Sequence, residues 1–551
     1  MSGKLFLVVL IASAGLTLVH PLFFSVPPKA PDTASSETDP HLFATGAACI
    51  SCHSNLITPS GEDISIGTDW RASMMANSAR DPYWQAAVRR ETMDHPEAQA
   101  LIEDECAACH MPMSRFEAKA ADRKGQVFSH LPVGENTHRT DDLAADGVSC
   151  TVCHQITAEN LGTGESFTAG FVIDTETPME QRAIFGPYEV DTGRRTVMHS
   201  ASGFRQVESR HIQKSELCAT CHTLFTEAIG PTGEIAGELP EQVPYLEWLH
   251  SAYPEEKSCQ SCHMPVVEDT TAISSVLGEG RTGVSRHVFQ GGNFFMLRML
   301  NRYRAELGVE ALPNELEATA RQTEHHLQTN TARISIENAE RVDDALHVEV
   351  RLENLAGHKL PTGYPSRRSW IRFTVHDRNG TPVFESGGIR STGEIPGNDN
   401  DTDPARYEPH YQEITQSDQV QIYESVMVDT QDQVTTGLLQ AVRYIKDNRL
   451  LPRGFDKATA SEDIAVHGRA REDADFTGGS DTVRYIIHLG GQQGPFTVQA
   501  SLWYQPIGYR WAHNLKDYDA PETNRFVEFY DSMSEISGIS LATAEIVVFG
   551  P

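Results

Sequence analysis

Five short segments with one spacing use every cysteine in the chain and constrain its fold more than any other feature. Each segment reads Cys-x-x-Cys-His, and the cysteine pairs are Cys49 and Cys52, Cys106 and Cys109, Cys150 and Cys153, Cys218 and Cys221, and Cys259 and Cys262. The histidines that follow them are His53, His110, His154, His222 and His263. Two thiols three positions apart can form thioethers to the two vinyl groups of one haem, and the next imidazole then reaches the iron. The spacing therefore predicts five covalently bound c-type haems with these five histidines as proximal ligands.

Two other uses of Cys-x-x-Cys explain the pattern less well. Structural zinc sites combine pairs of such pairs, which five pairs cannot supply evenly, and they do not require a histidine after each second cysteine. Thioredoxin-like redox pairs occur singly in a βαβ context. Haem attachment is the interpretation that uses all fifteen residues.

All five motifs lie within residues 49–263, which is too little polypeptide for five separate hydrophobic cores. We therefore expect the haems to form much of the core of a domain at 41–330 and to lie close to one another. Short helices and long loops are expected in such a domain, because the cofactor rather than a regular apolar stripe fills its interior.

Several segments around the motifs carry a resemblance to a known family. They are Trp70-Arg-Ala-Ser73-Met-Met75, Asp146-Gly-Val-Ser-Cys150, Ser215-Glu-Leu-Cys218, Glu247-Trp248 and Cys259-Gln-Ser-Cys-His-Met-Pro265. In these segments the chain resembles multihaem c-type cytochromes related to the nitrifier tetrahaem cytochrome and hydroxylamine oxidoreductase. In that family a W-x-x-S-x-H stretch supplies a distal histidine, and Met75 stands at that position here. The resemblance implies either that Met75 is a sixth ligand or that one haem is open.

The sixth ligand decides what a haem does, because a filled position favours electron transfer and an open one permits substrate chemistry. His199, His211 and His287 lie where relatives carry distal ligands, so the resemblance implies them as candidates. No catalytic residue is assigned.

A Gly- and Pro-rich loop at 357–368 supplies further candidates. His358 could lie over a haem, and Arg367 and Arg368 could bind haem propionates. The alternative is a turn cluster that holds neighbouring strands together.

The cysteine-free remainder changes to a period of two from about Arg333. In Ala345–Glu353, alternate apolar side chains face one side of a strand. Asn379-Gly380 predicts a hairpin turn after a strand with Ile371, Phe373 and Val375. Further strands are expected at 420–428, 483–489, 496–504 and 545–549. Residues 331–551 are therefore predicted to form an antiparallel β-sandwich of immunoglobulin-like character, which makes the chain an α+β multidomain protein.

The first 40 residues predict export. Residues 1–27 carry an apolar run after Lys4 and are expected to be a signal peptide or an N-terminal membrane anchor. Residues 28–40 are expected to be a linker. The predicted location is the periplasm or another extracytoplasmic space, either free or anchored to the inner membrane.

The net charge of −31 excludes a basic nucleic-acid binder. Ten haem propionates would add negative charge, so the expected partners are redox proteins, either basic or membrane-bound. The oligomeric state stays open.

The sequence thus favours an exported pentahaem cytochrome that carries electrons. Two alternatives stay open: an oxidoreductase acting on a small nitrogen or sulfur compound at one open haem, and a subunit of a haem filament.

Overall fold

Short helices joined by loops make up the cysteine segment, residues 41–330. The structure is a computed structural model that describes residues 41–135 and 138–549, so the predicted signal peptide or anchor and the linker lie outside the described residues. The helices of this segment are α1 (Ala47–Ile50), α2 (Ile66–Arg71), α3 (Pro82–Asp94), α4 (Gln99–His110), α5 (Pro112–Ala120), α6 (Arg139–Ala145), α7 (Cys150–Cys153), α8 (Thr192–Ser202), α9 (Ser215–Ala219), α10 (Pro244–Leu249), α11 (Cys259–His263), α12 (Phe294–Arg302) and α13 (Pro313–Asn330).

Two small two-stranded sheets accompany these helices. A parallel pair consists of β1 (Ala183–Gly186) and β2 (Arg205–Glu208), and an antiparallel hairpin consists of β3 (Leu224–Ile229) and β4 (Ile235–Gln242). The expectation of short helices and long loops in this segment is confirmed.

Most of the strands lie in the strand segment, residues 331–549. They are β5 (Ala332–Val342), β6 (Ala345–Asn354), β7 (Arg368–His376), β8 (Pro382–Ser386), β9 (Glu413–Ile414), β10 (Ile422–Tyr423), β11 (Ser425–Val428), β12 (Val434–Thr435), β13 (Arg443–Asp447), β14 (Ser480–His488), β15 (Phe496–Gln505) and β16 (Ile539–Val548). Three further helices are α14 (Asp399–Thr402), α15 (Tyr509–His513) and α16 (Pro521–Met533).

The strands form two larger sheets that face each other across an apolar core. One sheet has the order β10-β7-β15-β16 with β8 beside β7, and the other has the order β5-β6-β14-β9. Phe373 of β7 stacks on Tyr485 of β14, with ring centroids 3.9 Å apart. A third, three-stranded sheet of the strand segment has the order β12-β11-β13.

The period-two prediction is confirmed at β6, where Leu346, Val348, Val350 and Leu352 are buried. The Asn379-Gly380 turn joins β7 to β8 as predicted, with Gly380 at φ +77°. The predicted strand at 420–428 is instead two short strands in different sheets, β10 and β11. The sandwich is also not wholly antiparallel, because β9 pairs with β14 in parallel. Immunoglobulin-like connectivity stays a prediction.

One large apolar cluster joins α3, α12, α13 and α16 to both larger sheets. The predicted boundary at 330/331 falls between α13 and β5, and this core crosses it. All described residues belong to one compact unit. Across 41–135 and 138–549, every helix is too short or too polar to cross a bilayer.

Candidate cofactor cavity

Residues of all five motifs line a single cavity of about 2280 Å³. Its volume exceeds the roughly 300–1,000 Å³ of a pocket for one drug-sized ligand. All ten cysteines and the five histidines that follow them line it. The sequence-predicted attachment residues, which are far apart in the chain, therefore share one space.

Local helical structure orients each motif. Part or all of each motif is helical, in α1, α4, α7, α9 and α11. Positions i, i+3 and i+4 lie on one face of a helix. The two thiols and the imidazole of each motif consequently point to the same side, as one covalently held haem requires.

Four of the five motif histidines use Nδ1 to bind a backbone carbonyl. The acceptors are Ile273 O for His53 at 2.6 Å, Ser78 O for His110 at 3.0 Å, Phe185 O for His154 at 2.6 Å and Gln290 O for His263 at 2.5 Å. Such a bond fixes the tautomer of a metal-binding histidine and leaves Nε2 free for the metal. These four rings are therefore held in the tautomer that can bind iron through Nε2. The ring of His222 has no hydrogen bond to a described residue.

Burial keeps these imidazoles neutral. It lowers the pKa of His110 and of His222 to about 4, and it also lowers the pKa of His53, His154 and His263. Only a neutral imidazole offers a nitrogen lone pair to a metal. The residues present thus fit haem iron chemically as well as geometrically.

Thiols of different motifs lie next to each other. The adjacent thiols are those of Cys49 and Cys150, of Cys109 and Cys221, and of Cys218 and Cys259. Cys153 also lies close to Cys221. The first motif is therefore next to the third, and the fourth motif is next to the second, third and fifth.

Two motif histidines face another imidazole across the cavity. The ring centroids of His154 and His287 are 6.4 Å apart with an interplanar angle of 18°. Those of His263 and His358 are 6.2 Å apart with an angle of 12°. Two imidazoles on opposite sides of one metal, each with a metal–nitrogen bond of about 2 Å, have centroids about 6 Å apart. His287 and His358 therefore stand where distal ligands would stand.

The sequence interpretation missed His326, which also lines the cavity. Its ring lies 6.4 Å from that of His263 at an angle of 50°, and burial lowers its pKa to about 4. The helix α13 reads as polar, but Leu316, Thr319, Thr323 and Leu327 form a buried stripe at helical spacing. That stripe is the signal that could have placed His326 next to the interior.

Two predicted distal candidates lie outside the cavity lining. His199 is exposed, and its Nε2 contacts the Glu180 carbonyl. His211 is buried, but its Nδ1 bonds to Ser209 Oγ at 2.7 Å and its Nε2 to Ile156 O at 2.8 Å, so neither nitrogen is free. The structure does not support either residue as an iron ligand.

Met75 does line the cavity, as the resemblance implied. On α8 the lining residues are Arg194, Val197, Met198, Ala201 and Ser202, which share one helical face. His199 projects from another face of α8. The neighbouring Met198 lines the cavity, where a distal ligand at His199 was expected.

The two neighbouring arginines have different surroundings. Arg367 lines the cavity and donates to Thr362 O at 2.8 Å and to Asn293 Oδ1 at 3.2 Å. It forms no ion pair with a carboxylate of the described residues. Arg368 is buried in the strand segment and pairs with Asp401 at 2.7 Å. Arg367 fits the predicted propionate contact, whereas Arg368 is already neutralised.

A buried cluster of His410, Asp473 and Asp481 lies apart from the cavity and resembles a metal site in composition. The His410 Nδ1 accepts hydrogen bonds from Gln421 Nε2 at 2.9 Å and Asn448 Nδ2 at 3.1 Å. Nε2 must then carry the proton, which it donates to Asp473 Oδ2 at 3.0 Å. This tautomer is wrong for metal binding through Nε2, so the cluster is a hydrogen-bonded core element.

No protein-family model and no curated protein sequence matches the chain. Among solved structures, it is similar to the crystal structure of a penta-heme cytochrome c552 from Thermochromatium tepidum. The TM-score is 0.51 and the sequence identity 15 %, and the match covers 92 % of this chain and 100 % of the other. At this identity the similarity concerns the fold, which extends over both segments of the chain.

Proposed function

We propose that the protein is a pentahaem c-type cytochrome that carries electrons. The observation that carries the proposal is the shared cavity lined by all five Cys-x-x-Cys-His motifs. Each cysteine pair would hold one haem through two thioethers, and the following histidine would bind its iron. The similarity in fold to a penta-heme cytochrome supports the same conclusion.

The haem supplies a one-electron ferric–ferrous couple when bound. The chain holds four of the five motif imidazoles in one tautomer through a backbone carbonyl, excludes water by burial and sets the sixth position. We propose that His154 and His287 would hold the iron of one haem, and that His263 and His358 would hold the iron of another. Met75 and Met198 are candidates for other sixth positions.

The thiol contacts support an order for the five sites. The first, third, fourth and fifth motifs would follow one another, and the second motif would branch from the fourth. Sites in such contact suit electron transfer without a mobile carrier. The proposed lineage, with relatives of the nitrifier tetrahaem cytochrome and hydroxylamine oxidoreductase, rests on the sequence resemblance.

We further propose an extracytoplasmic location and redox partners that are basic or membrane-bound. Haem attachment to such motifs outside the cytoplasm and the net charge of −31 support this. The haem-filament alternative stays a prediction.

One observation favours a second candidate, an oxidoreductase with an open haem. Among the residues that the structure describes, only His154 and His263 have another imidazole ring facing them at this spacing. The ring of His222 has His263 and the cationic Arg367 as its ionisable neighbours. An anionic small molecule could bind there if no side chain fills the sixth position.

Mass spectrometry of the denatured protein tests the main proposal, with five haems expected on the chain. A mass equal to that of the bare chain, after expression with a haem-attachment system, would overturn it. Electron paramagnetic resonance (EPR) of the oxidised protein then separates the two candidates. Low-spin signals alone support the electron carrier, whereas a high-spin signal that shifts on adding nitrite or hydroxylamine supports the enzyme.

A further inference from the structure

One buried carboxylate joins the cysteine segment to the loop that carries His358. Glu247 lies in α10 and is 0 % exposed. Its Oε2 accepts hydrogen bonds from Lys359 N at 3.1 Å and from Thr362 Oγ1 at 2.5 Å. The loop is thus anchored to α10 directly after His358 and again three residues later.

Three further charged side chains extend from Glu247 in a buried row of ion pairs. Lys359 Nζ and Arg449 Nη2 both lie 2.7 Å from Asp447 Oδ2, and Arg449 Nη1 lies 2.9 Å from Glu247 Oε1. Positive and negative groups alternate along the row Lys359, Asp447, Arg449 and Glu247, and all four residues are buried. Because a buried charge without its partner is costly, loss of any one of these side chains is expected to destabilise the others.

The imidazole of His358 depends on this anchoring for its direction. Its Nδ1 binds the carbonyl of Lys359 at 2.9 Å, and its own carbonyl accepts from Asn354 Nδ2 at 2.8 Å. Residues 355–359 form no helix or strand. Backbone hydrogen bonds hold the two ends of this loop, from Leu355 N to Thr331 O and between Leu360 and Leu450. Between these ends, side-chain contacts position the residues that carry the near-parallel ring pair with His263.

We propose that Glu247 is a positioning residue that holds His358 as the sixth ligand opposite His263. The inference rests on the proposed function, because it assumes a haem at the fifth motif. In Glu247→Gln, Arg449 loses one of its two anions, and the new NH2 group replaces the acceptor oxygen either of Lys359 N and Thr362 or of Arg449. The loop then moves, and the sixth position opens for part of the time.

Carbon monoxide binding to the reduced holoprotein measures the opening, because CO binds ferrous haem only at a free position. For wild type and Glu247→Gln, we compare the number of CO molecules bound per chain and the rate at which they bind. The open fraction at one haem is expected to rise about 10–100-fold. This is the factor by which metal affinity typically falls when a residue that orients a metal ligand is lost. A new high-spin ferric signal should accompany it in EPR.

Glu424→Gln is the matched control, because Glu424 is also buried and ion-paired, with Lys446 at 2.9 Å, but does not contact the His358 loop. It should leave CO binding at the wild-type level. Thr362→Val removes a single hydrogen bond to Glu247 and should act in the same direction as Glu247→Gln with a smaller effect. It decides the question if Glu247→Gln does not retain five haems.

His358→Ala and His326→Ala separate this inference from the proposed ligation. His358→Ala should bind one more CO per chain than wild type, and His326→Ala should not. If His358→Ala gains no site, or if His326→Ala gains it instead, His358 is not the ligand and both statements about it fail. If His358→Ala gains a site but Glu247→Gln and Thr362→Val match the Glu424→Gln control, the positioning role alone is overturned.

Discussion

The cysteine segment and the strand segment bury their interiors by different means. In the strand segment, aromatic and branched side chains of β6, β7, β14 and β15 fill the space between two sheets. In the cysteine segment, several small apolar clusters surround a cavity of about 2280 Å³. Protein interiors are normally close-packed. The first segment is therefore complete only with its proposed cofactors, whereas the second is filled by its own side chains.

This difference separates two kinds of stability within one compact unit. Binding energy of a cofactor that attaches only to the folded chain becomes folding energy. The cysteine segment should then depend on haem, and the strand segment on packing and buried ion pairs.

The largest expected effect is that of withholding haem. In protein made without haem attachment, amides of 41–81 and 95–290, which lie outside α3, should exchange with deuterium far faster than in the holoprotein. Amides of β6, β7, β14 and β15 should stay protected, because their core contains no haem. Hydrogen-exchange mass spectrometry on both forms measures this. Equal protection of both segments in the haem-free chain would contradict the comparison.

A cavity made in the strand segment should act on stability without touching the haem sites. Phe373→Ala removes a fully buried ring stacked on Tyr485 and should cost about 3–5 kcal/mol. Denaturant unfolding followed by far-UV circular dichroism measures the loss, and the haem spectra below the transition should equal those of wild type. Phe549→Ala, at a side chain that is 75 % exposed, is the control and should stay within about 0.5 kcal/mol.

Two adjacent arginines sharpen the same comparison. Arg368→Gln leaves Asp401 buried without its partner and should cost about 3–5 kcal/mol, with unchanged haem potentials. Arg367→Gln removes a cation beside the cavity, so it should lower the potential of the nearest haem, because positive charge favours the reduced form. Spectroelectrochemical titration and denaturant unfolding of both variants check the contrast. If the two variants changed the haem potential and the free energy of unfolding to a similar extent, the contrast between the two arginines would be contradicted.

Sequence periodicity predicted the strand segment well where one face of a strand is buried, as at β6. It failed at 420–428 because the chain there passes from one sheet to another, and this change of partner leaves no mark in the local pattern. It did not separate Arg367 from Arg368, because β7 begins at Arg368 and Arg367 belongs to the preceding loop.

In the cysteine segment, spacing predicted the motif residues that share the cavity, because the motif itself carries the chemistry. Distal candidates depend on which way a helix or loop faces, and the resemblance did not contain that information. His287 and Met75 line the cavity, but His199 lies on another face of α8 and His211 bonds elsewhere. His358 reaches the cavity from a loop of the strand segment, a long-range contact that no local pattern specifies.

The smallest expected effect concerns a carboxyl group of the cavity that has no cationic partner among the described residues. Glu241 is buried on β4, and its Oε2 accepts a hydrogen bond from Thr226 Oγ1 at 2.6 Å. Burial raises its pKa to about 7, and the nearby Glu91 adds to the effect. In the strand segment, by contrast, the buried carboxylates of Glu424 and Asp401 are ion-paired. Glu241 is therefore protonated below about pH 7 and charged above it.

Ionisation of Glu241 should change the midpoint potential of the haem at the second motif, because Glu241 lies close to Cys106 and Cys109. The carboxylate formed above pH 7 favours the ferric state, so the midpoint potential should fall as the pH rises from 6 to 8. The slope can reach at most about 59 mV per pH unit, the value for one proton per electron. Glu241→Gln should flatten it.

Glu238→Gln is the control for that slope, because Glu238 lies on the same strand but is exposed. It should shift the whole curve slightly and leave its slope unchanged. Potentiometric titrations of wild type and both variants at several pH values make the measurement. An unchanged slope in Glu241→Gln would assign the proton to another group of the cavity and would remove the contrast between unpaired cavity carboxylates and paired core carboxylates.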